Sequence, residues 1–332
     1  MFHHRRRADL GLAASAGTVL MSEYQKTAVI GAGVIGASWA ALFLASGRDV
    51  AVHDPVPGAE DAVRRYIDEA WPTLLELGLA AEGRRGALSF HATAAEAVTG
   101  ADFVQESVPE RIAIKHGLYA EIEPVLKPGA IVASSASGLT LGEMQTGWKD
   151  PSPFVLGHPF NPPHLIPLVE VMGNDHTRPS AVTGAEEFYK LVGKITIRVN
   201  REVPGHVANR LQAALWREAI HLVKTGVASV EDVDKAVWAG PGLRWAAMGP
   251  TMLFHLGAGE GGLAAFCERY TDSFNRWWDD LGVLHLDPSL SAELMSGVQQ
   301  ESRDRSPAEL SSQRDALITA MQRATASLRA AS

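Results

Sequence analysis

The sequence is poor in cysteine, in basic residues relative to acidic ones and in long apolar runs, and each shortage excludes a class of protein. Cys267 is the one cysteine in 332 residues. An intrachain disulfide is therefore excluded, and we expect a reducing compartment, the cytoplasm, with Cys267 as a small buried hydrophobe. The net charge of -8 argues against nucleic acid and anionic membranes as partners. No Cys/His cluster has the spacing of a zinc site, so no metal is expected.

The first twenty residues have a basic start and a short apolar run that glycines interrupt. An export or transit signal is one interpretation, but the run is too weak for a membrane span. We favour a natural start at Met21, with residues 1–20 as a poorly ordered N-terminal extension.

Apolar periodicity predicts alternating strands and helices in the first two thirds of the chain. KTAVI predicts a strand, GAGVIG a turn, ASWAALFLASG a helix and DVAVHD a second strand. Further strands are predicted near Phe103, Val132, Leu156 and Val169. Repeated βα units are typical of a Rossmann-type doubly wound, mostly parallel sheet. Long helices follow Ile197. We therefore predict an NAD-binding domain at 21–198 and an all-helical substrate and dimerisation domain at 199–332.

The turn GAGVIG matches the dinucleotide fingerprint. Its glycines allow a tight turn, backbone approach to a pyrophosphate and close helix packing. Asp54 ends the next predicted strand, where an acid can hold ribose hydroxyls and repel a 2'-phosphate, and no arginine follows it closely. The motif thus predicts NAD rather than NADP as cofactor, although a plain glycine turn with a capping acid is the alternative. The predicted cofactor-binding residues here are Gly31, Gly33, Val34, Ile35, Gly36 and Asp54.

The stretch GHPFNPPHLIPLVEV places His158 at the end of one predicted strand and Glu170 in the next. Neighbouring strands can bring an imidazole and a carboxylate together. Such a pair suits a general base that takes a hydroxyl proton near neutral pH. A histidine considered alone is more often a surface residue or a core residue with its hydrogen bonds satisfied.

Five motifs, between about Lys26 and about Leu281, resemble the L-3-hydroxyacyl-CoA dehydrogenase superfamily in order and spacing. They are GAGVIG, QESVPERIAIK, SSASG, GHPFNPPHLIPLVEV and EVPGHVANRL. The likeness is greatest to the branch that contains L-carnitine dehydrogenase and L-gulonate 3-dehydrogenase, the latter also known as lambda-crystallin. The resemblance implies NAD-dependent oxidation by a homodimer.

The resemblance also implies a role for individual residues. It implies a catalytic pair (His158 and Glu170), substrate-side groups on the reacting oxygen (Ser137 and Asn209), a supporting residue (Asn161) and two residues beside the nicotinamide half of NAD (Glu110 and Lys115). Simpler alternatives exist: Ser137 can end a strand, Asn209 can cap or pack a helix, and Glu110 with Lys115 can form a surface ion pair.

The helical part of the sequence bears on the substrate. The segment AGPGLRWAAMGP looks like the carnitine and gulonate branch rather than the fatty-acid enzymes. Arg244 can pair with a substrate carboxylate, because its planar fork binds carboxylate through two hydrogen bonds. Aromatic faces can bind a quaternary ammonium, although tryptophans at helical spacing more often fill cores or interfaces. The candidate walls are Trp216, Trp238, Trp245, Trp277 and Trp278.

These features together predict oxidation of the 3-hydroxyl of a small L-3-hydroxy acid, with L-carnitine as the first candidate. An L-3-hydroxyacyl-CoA and L-gulonate are the alternative substrates. A second class of function is a crystallin-like structural protein, which would not need the Ser, His, Glu and Asn set that this chain carries.

Overall fold

The computed structural model describes residues 24–80, 83 and 85–329. The predicted extension at 1–20 lies outside these residues. The described residues up to Val207 form one compact unit, and those from Ala208 onward form a second. We call them the first and the second unit. The sequence placed the domain boundary after Arg198, the last residue of the final strand, and that division stays a prediction.

The first unit is built on an eight-stranded sheet. Every neighbouring pair of strands is parallel except β6 and β7, which confirms the mostly parallel, doubly wound prediction. The strand order is β3-β2-β1-β4-β5-β6-β7-β8. Periodicity missed β3 and β8, because each is only three or four residues long and partly exposed. The strands are β1 Lys26–Ile30, β2 Asp49–His53, β3 Leu88–Phe90, β4 Phe103–Glu106, β5 Ile131–Ser134, β6 Phe154–Pro159, β7 Leu168–Met172 and β8 Ile195–Arg198.

Helices cover both faces of this sheet, and apolar side chains are buried on each face. Helix α1 is apolar all round, and ten of its 12 residues are buried. Aromatic rings pack beneath it, with Phe103 of β4 stacked on Phe188 at 3.9 Å between ring centroids. The helices are α1 Val34–Ala45, α2 Ala59–Glu76, α3 Ala94–Val98, α4 Ile112–Ile122, α5 Leu141–Gln145 and α6 Pro179–Leu191, with a 3-10 turn at Glu123–Val125.

Every secondary-structure element in the described residues of the second unit is a helix or a 3-10 turn, as predicted. Its helices are α7 Ala208–Lys224, α8 Val230–Ala239, α9 Pro241–Ala247, α10 Pro250–Gly257, α11 Gly262–Asp280, α12 Pro288–Ser302 and α13 Pro307–Arg329, with a 3-10 turn at Gly259–Gly261. No helix in the described part of the chain is long and apolar enough to span a membrane. The cytoplasmic location stays a prediction.

Few apolar side chains of the second unit are buried. Among its described residues only Ile220, Val233 and Leu290 are buried hydrophobics. Its five tryptophans are between 38% and 65% exposed. Cys267 is also exposed, so its assignment as a buried hydrophobe was wrong. The reason is that α11, which carries it, turns an apolar face outward rather than into a core.

Candidate active site

The carboxyl ends of β1, β2, β4, β5 and β6 lie at one edge of the sheet, since these strands are parallel. The chain winds outward in opposite directions from β1 and β4, which are hydrogen-bonded neighbours. Ligands of open α/β sheets bind at such a switch point. The predicted glycine turn follows β1 directly, so the fold places it at this position.

The glycine turn requires its glycines for steric reasons. Gly31 has φ 85°, and a Cβ there would lie 2.7 Å from the backbone of Ser107. A Cβ on Gly36 would lie 1.9 Å from the carbonyl oxygen of Gly31. Helix α1 begins at Val34, and the first N–H groups of a helix have no partner within it and attract anions. Gly33 faces open space and Val34 is 60% exposed, which leaves room for a pyrophosphate and its ribose.

Asp54 follows β2 and holds the same turn. Its Oδ2 accepts the N–H of Ala32 at 2.7 Å, and its Oδ1 accepts the N–H of Val56 at 2.9 Å. Each carboxylate oxygen keeps a further lone pair for a ribose hydroxyl. The glycine turn, the start of α1 and Asp54 therefore fit a dinucleotide whose ribose carries no 2'-phosphate.

Replacing Asp54 by Asn is expected to lower the preference for NAD over NADP by about tenfold, because the charge that repels a 2'-phosphate is lost. The measurement is kcat/KM with NAD divided by kcat/KM with NADP. A general loosening of the turn would lower both values and leave this ratio unchanged. Asp61→Asn, which changes an exposed acid in the first turn of α2, is the matched control. An unchanged ratio in Asp54→Asn would contradict the assignment.

His158 and Glu170 stand directly opposite each other on the antiparallel strands β6 and β7. The Nδ1 of His158 lies 2.7 Å from Oε2 of Glu170, and both side chains are buried. A carboxylate at this position holds the Nδ1–H tautomer, so Nε2 is the nitrogen left to accept a proton. The structure thus brings together the two residues that the sequence paired.

Two further groups contact this pair, and sequence reasoning missed both. The backbone N–H of Val207 donates to Oε1 of Glu170 at 2.9 Å. The ring of His206 lies 5.2 Å from the ring of His158, measured between centroids. Both belong to the motif EVPGHVANRL, in which the resemblance assigns a role only to Asn209. The available signal was a histidine directly after Pro204 and Gly205, where a tight turn fixes the direction of the side chain.

Ser137, in the loop after β5, is held by Glu110. The Ser137 hydroxyl donates to Oε1 of Glu110 at 2.9 Å, and the N–H groups of Ser137 and Gly138 donate to the same carboxylate. Burial alone would raise the pKa of Glu110, but these hydrogen bonds and the charge of Lys115 hold it below its usual value. Glu110 is therefore ionised near neutral pH and fixes the orientation of the Ser137 hydroxyl.

Lys115 lies inside the protein, where its ammonium forms an ion pair with Glu106. The Nζ atom is 2.6 and 2.8 Å from the two carboxylate oxygens, and both side chains are at most 1% exposed. Glu106 also accepts hydrogen bonds from Tyr119, Ser134 and the N–H of Val108. The surface ion pair between Glu110 and Lys115 that the sequence allowed is not formed. A role for Lys115 beside the cofactor stays a prediction.

The remaining predicted site residues lie on several elements. Asn161 is exposed in the connection between β6 and β7. Asn209 is half-buried in the first turn of α7, and Arg244 and Trp245 are exposed on α9. These last three belong to the second unit, and their roles stay predictions. In the described part of the chain, no group of three or more His, Cys, Asp or Glu could hold a metal ion.

Known proteins with similar sequences identify the family of this chain. The family model of the 3-hydroxyacyl-CoA dehydrogenase NAD binding domain matches residues 26–203, and that of the C-terminal domain matches residues 205–283. An L-carnitine dehydrogenase of Streptomyces coelicolor is 46% identical over 304 residues, 92% of this chain and 96% of that protein. One from Pseudomonas putida is 41% identical over 310 residues, 93% and 97% of the two chains.

A solved structure leads to the same conclusion. The NAD+-dependent dismutase 5-formyl-3-hydroxy-2-methylpyridine 4-carboxylic acid 5-dehydrogenase is 30% identical, with a TM-score of 0.77 over 90% of this chain and 97% of that one. The glycine turn, the family models and this likeness agree on the cofactor. The chain is an NAD-dependent oxidoreductase that acts on a small molecule, and it belongs to the 3-hydroxyacyl-CoA dehydrogenase family.

Proposed function

We propose that this protein oxidises the 3-hydroxyl of a small L-3-hydroxy acid to the 3-oxo acid, with L-carnitine as the substrate. The observation that carries the proposal is the buried His158–Glu170 pair at 2.7 Å on a dinucleotide-binding sheet. The substrate rests on relatives named L-carnitine dehydrogenase, which are 46% and 41% identical over more than nine tenths of the chain.

In the proposed reaction, Nε2 of His158 takes the proton of the substrate hydroxyl. Glu170 stabilises the resulting imidazolium, since its carboxylate already accepts a hydrogen bond from Nδ1. Bound NAD supplies the acceptor for the hydride of the same carbon. In the structure the Ser137 hydroxyl donates to Glu110. The one hydrogen of the substrate hydroxyl goes to His158, so Ser137 is proposed to turn its O–H and donate to the reacting oxygen. Asn209 is proposed as a second contact of that oxygen.

Two groups of the second unit are proposed to select the acid. Arg244 is the proposed partner of the substrate carboxylate, and Trp245 one proposed wall for the trimethylammonium group. The CoA ester of an L-3-hydroxy acid is the second candidate substrate, because the family models are those of 3-hydroxyacyl-CoA dehydrogenases.

The test is NADH formation at mildly alkaline pH with L-carnitine, L-gulonate, L-3-hydroxybutyrate and L-3-hydroxybutyryl-CoA. Specificity is compared as kcat/KM. We expect the highest value with L-carnitine. A highest value with the CoA ester would refute the choice of a free acid. A protein that binds NAD and oxidises none of the four would refute the proposed function and favour a crystallin-like structural role.

We also propose a homodimer that pairs through the second unit. Its support is the apolar surface of that unit, where Trp238 and Trp278 are 65% and 63% exposed. Apolar patches of this kind mark protein interfaces. Light scattering is expected to give twice the mass of the chain. Trp278→Glu is expected to raise the dissociation constant of the dimer by at least about tenfold, which is the effect of removing one interface side chain of moderate contribution. The control is Val56→Glu on the first unit, where the side chain is 63% exposed. A monomeric wild-type protein would refute the dimer.

A further inference from the structure

The tight turn at 203–206 connects β8 to the second unit and lies against the catalytic pair. The His206 N–H donates to the carbonyl oxygen of Val203 at 3.1 Å, and Gly205 has φ 75°. Proline in the second position and a left-handed glycine in the third are typical of a type II turn. This turn directs the next N–H, that of Val207, to Oε1 of Glu170.

His206 continues the turn in a left-handed conformation, with φ 49°. This conformation is unfavourable for a residue with a Cβ, and it persists only where the surrounding structure holds it. Residues held in this way are concentrated at functional sites. Among the described residues, Arg303 and Asp304 are the other non-glycine residues with positive φ, and both are exposed. His206 is buried, at 3% exposure, so its strained backbone is maintained by packing inside the site.

The imidazole of His206 is buried without the hydrogen bonds that a buried polar ring normally makes. Neither ring nitrogen has a partner within hydrogen-bond geometry, although the carbonyl of Ala136 is close enough to affect the ring. A phenyl ring would fill similar space without the desolvation penalty of two polar nitrogens. The polarity of His206 is therefore unexplained by packing, and a polar ligand atom would satisfy it.

The charge state of His206 follows from its neighbours. Burial first, and then the proximity of His158, lower the pKa of His206, while Glu170, the Ala136 carbonyl and Glu110 act in the opposite direction. The net direction is downward, so the ring is neutral at the pH of the reaction. A neutral imidazole has one N–H to donate and one nitrogen to accept.

We propose that His206 is a substrate-contacting residue whose ring N–H donates a hydrogen bond to a carboxylate oxygen of the 3-hydroxy acid. The inference rests on the proposed function of His158. The ring centroids of His158 and His206 are 5.2 Å apart, a separation that one small ligand can span. In a 3-hydroxy acid the carboxyl carbon lies two bonds from the carbinol carbon. A carboxylate has lone pairs for several donors, so a bond from His206 leaves others available.

The test compares an acid with its analogue that lacks the carboxylate. For L-carnitine this analogue is β-methylcholine, which keeps the trimethylammonium group and the secondary hydroxyl. We expect His206→Phe to lower kcat/KM for L-carnitine by about tenfold to a hundredfold, the value of a hydrogen bond to a charged group. The kcat/KM of β-methylcholine, or its inhibition constant where turnover is slow, is expected to stay unchanged.

The unfolding temperature of the His206 variants distinguishes a substrate contact from a packing role. His206→Phe is expected to unfold at or above the wild-type temperature, because it removes buried polar atoms that have no good partner. His206→Asn tolerates the left-handed conformation and keeps a donor, so it is expected to retain part of the preference for the acid. The matched control is His176→Phe, an exposed histidine of the same unit, with no change expected in the ratio.

Two outcomes would overturn the inference. An equal loss for L-carnitine and β-methylcholine would mean that His206 acts through the base and not on the carboxylate. An unchanged kcat/KM with a lower unfolding temperature would make it a packing residue. Failure of the proposed function looks different, because there the wild-type protein itself oxidises none of the four substrates.

Discussion

His158→Gln is expected to lower kcat by about a hundredfold to ten-thousandfold, the usual contribution of a general base. Glutamine cannot take up the hydroxyl proton, so hydride transfer would have to proceed from the protonated alcohol. The glycine turn and Asp54 do not contact His158, so the dissociation constant of NAD is expected to stay within about threefold of wild type, a free-energy change below 1 kcal/mol. Steady-state NADH formation and a direct titration with NAD measure the two quantities.

His176→Gln is the matched control for this variant, since it replaces an exposed histidine in the same unit. Undiminished turnover in His158→Gln with intact NAD binding would refute the assignment of the base. Glu170→Gln is also expected to slow turnover. A carboxamide can turn its NH2 group toward Nδ1 and so hold the wrong tautomer, as happens when the acid of a serine-protease triad becomes an amide.

Lys115→Met is expected to lower the free energy of unfolding by about 3–5 kcal/mol, because it leaves the Glu106 carboxylate buried without its counter-charge. Glu106 is completely buried, and its other partners are neutral donors, Tyr119, Ser134 and the N–H of Val108. Burial and the charge of Glu106 raise the pKa of Tyr119, so its hydroxyl stays protonated and keeps donating. Urea unfolding monitored by circular dichroism measures the loss.

The matched control is Lys235→Met, which breaks an exposed ion pair with Glu231 on α8. A surface pair of this kind contributes at most about 1 kcal/mol. The double variant Glu106→Gln with Lys115→Met is expected to recover part of the loss, since no unpaired charge remains buried. A loss in Lys115→Met no larger than in Lys235→Met would contradict the account of a buried, mutually dependent pair.

Much of the site could be predicted from local sequence, for identifiable physical reasons. A glycine turn between a β-branched run and a helix has few possible structures, so Gly31, Gly33 and Gly36 in this context, with Asp54 after the next strand, indicate a dinucleotide site. His158 and Glu170 are only twelve positions apart and each lies in a strand, so a hairpin brings them together once the register is set. Helical periodicity likewise sufficed for the all-helical character of the second unit.

Other contacts depend on how distant segments pack, and local periodicity carries no information on them. Which acid pairs with Lys115 was decided by burial: Glu106, at the end of β4, faces inward, whereas Glu110 reaches the loop after β5 and binds Ser137. Cys267 and the tryptophans of the second unit illustrate the same limit. Apolar side chains at helical spacing indicate an apolar helix face, but they do not indicate whether that face packs into the core of its own unit.

The sequence by itself thus determined the glycine turn, the doubly wound fold and the pairing of His158 with Glu170, since each depends on short-range steric and periodic rules. Only the tertiary structure decided the partner of Lys115, the hydrogen bonds that orient Ser137 and the position of His206 beside His158. The physical reason is that these contacts join segments 9 to 48 residues apart, whose proximity is created by the sheet order and the turn at 203–206 rather than by any local pattern.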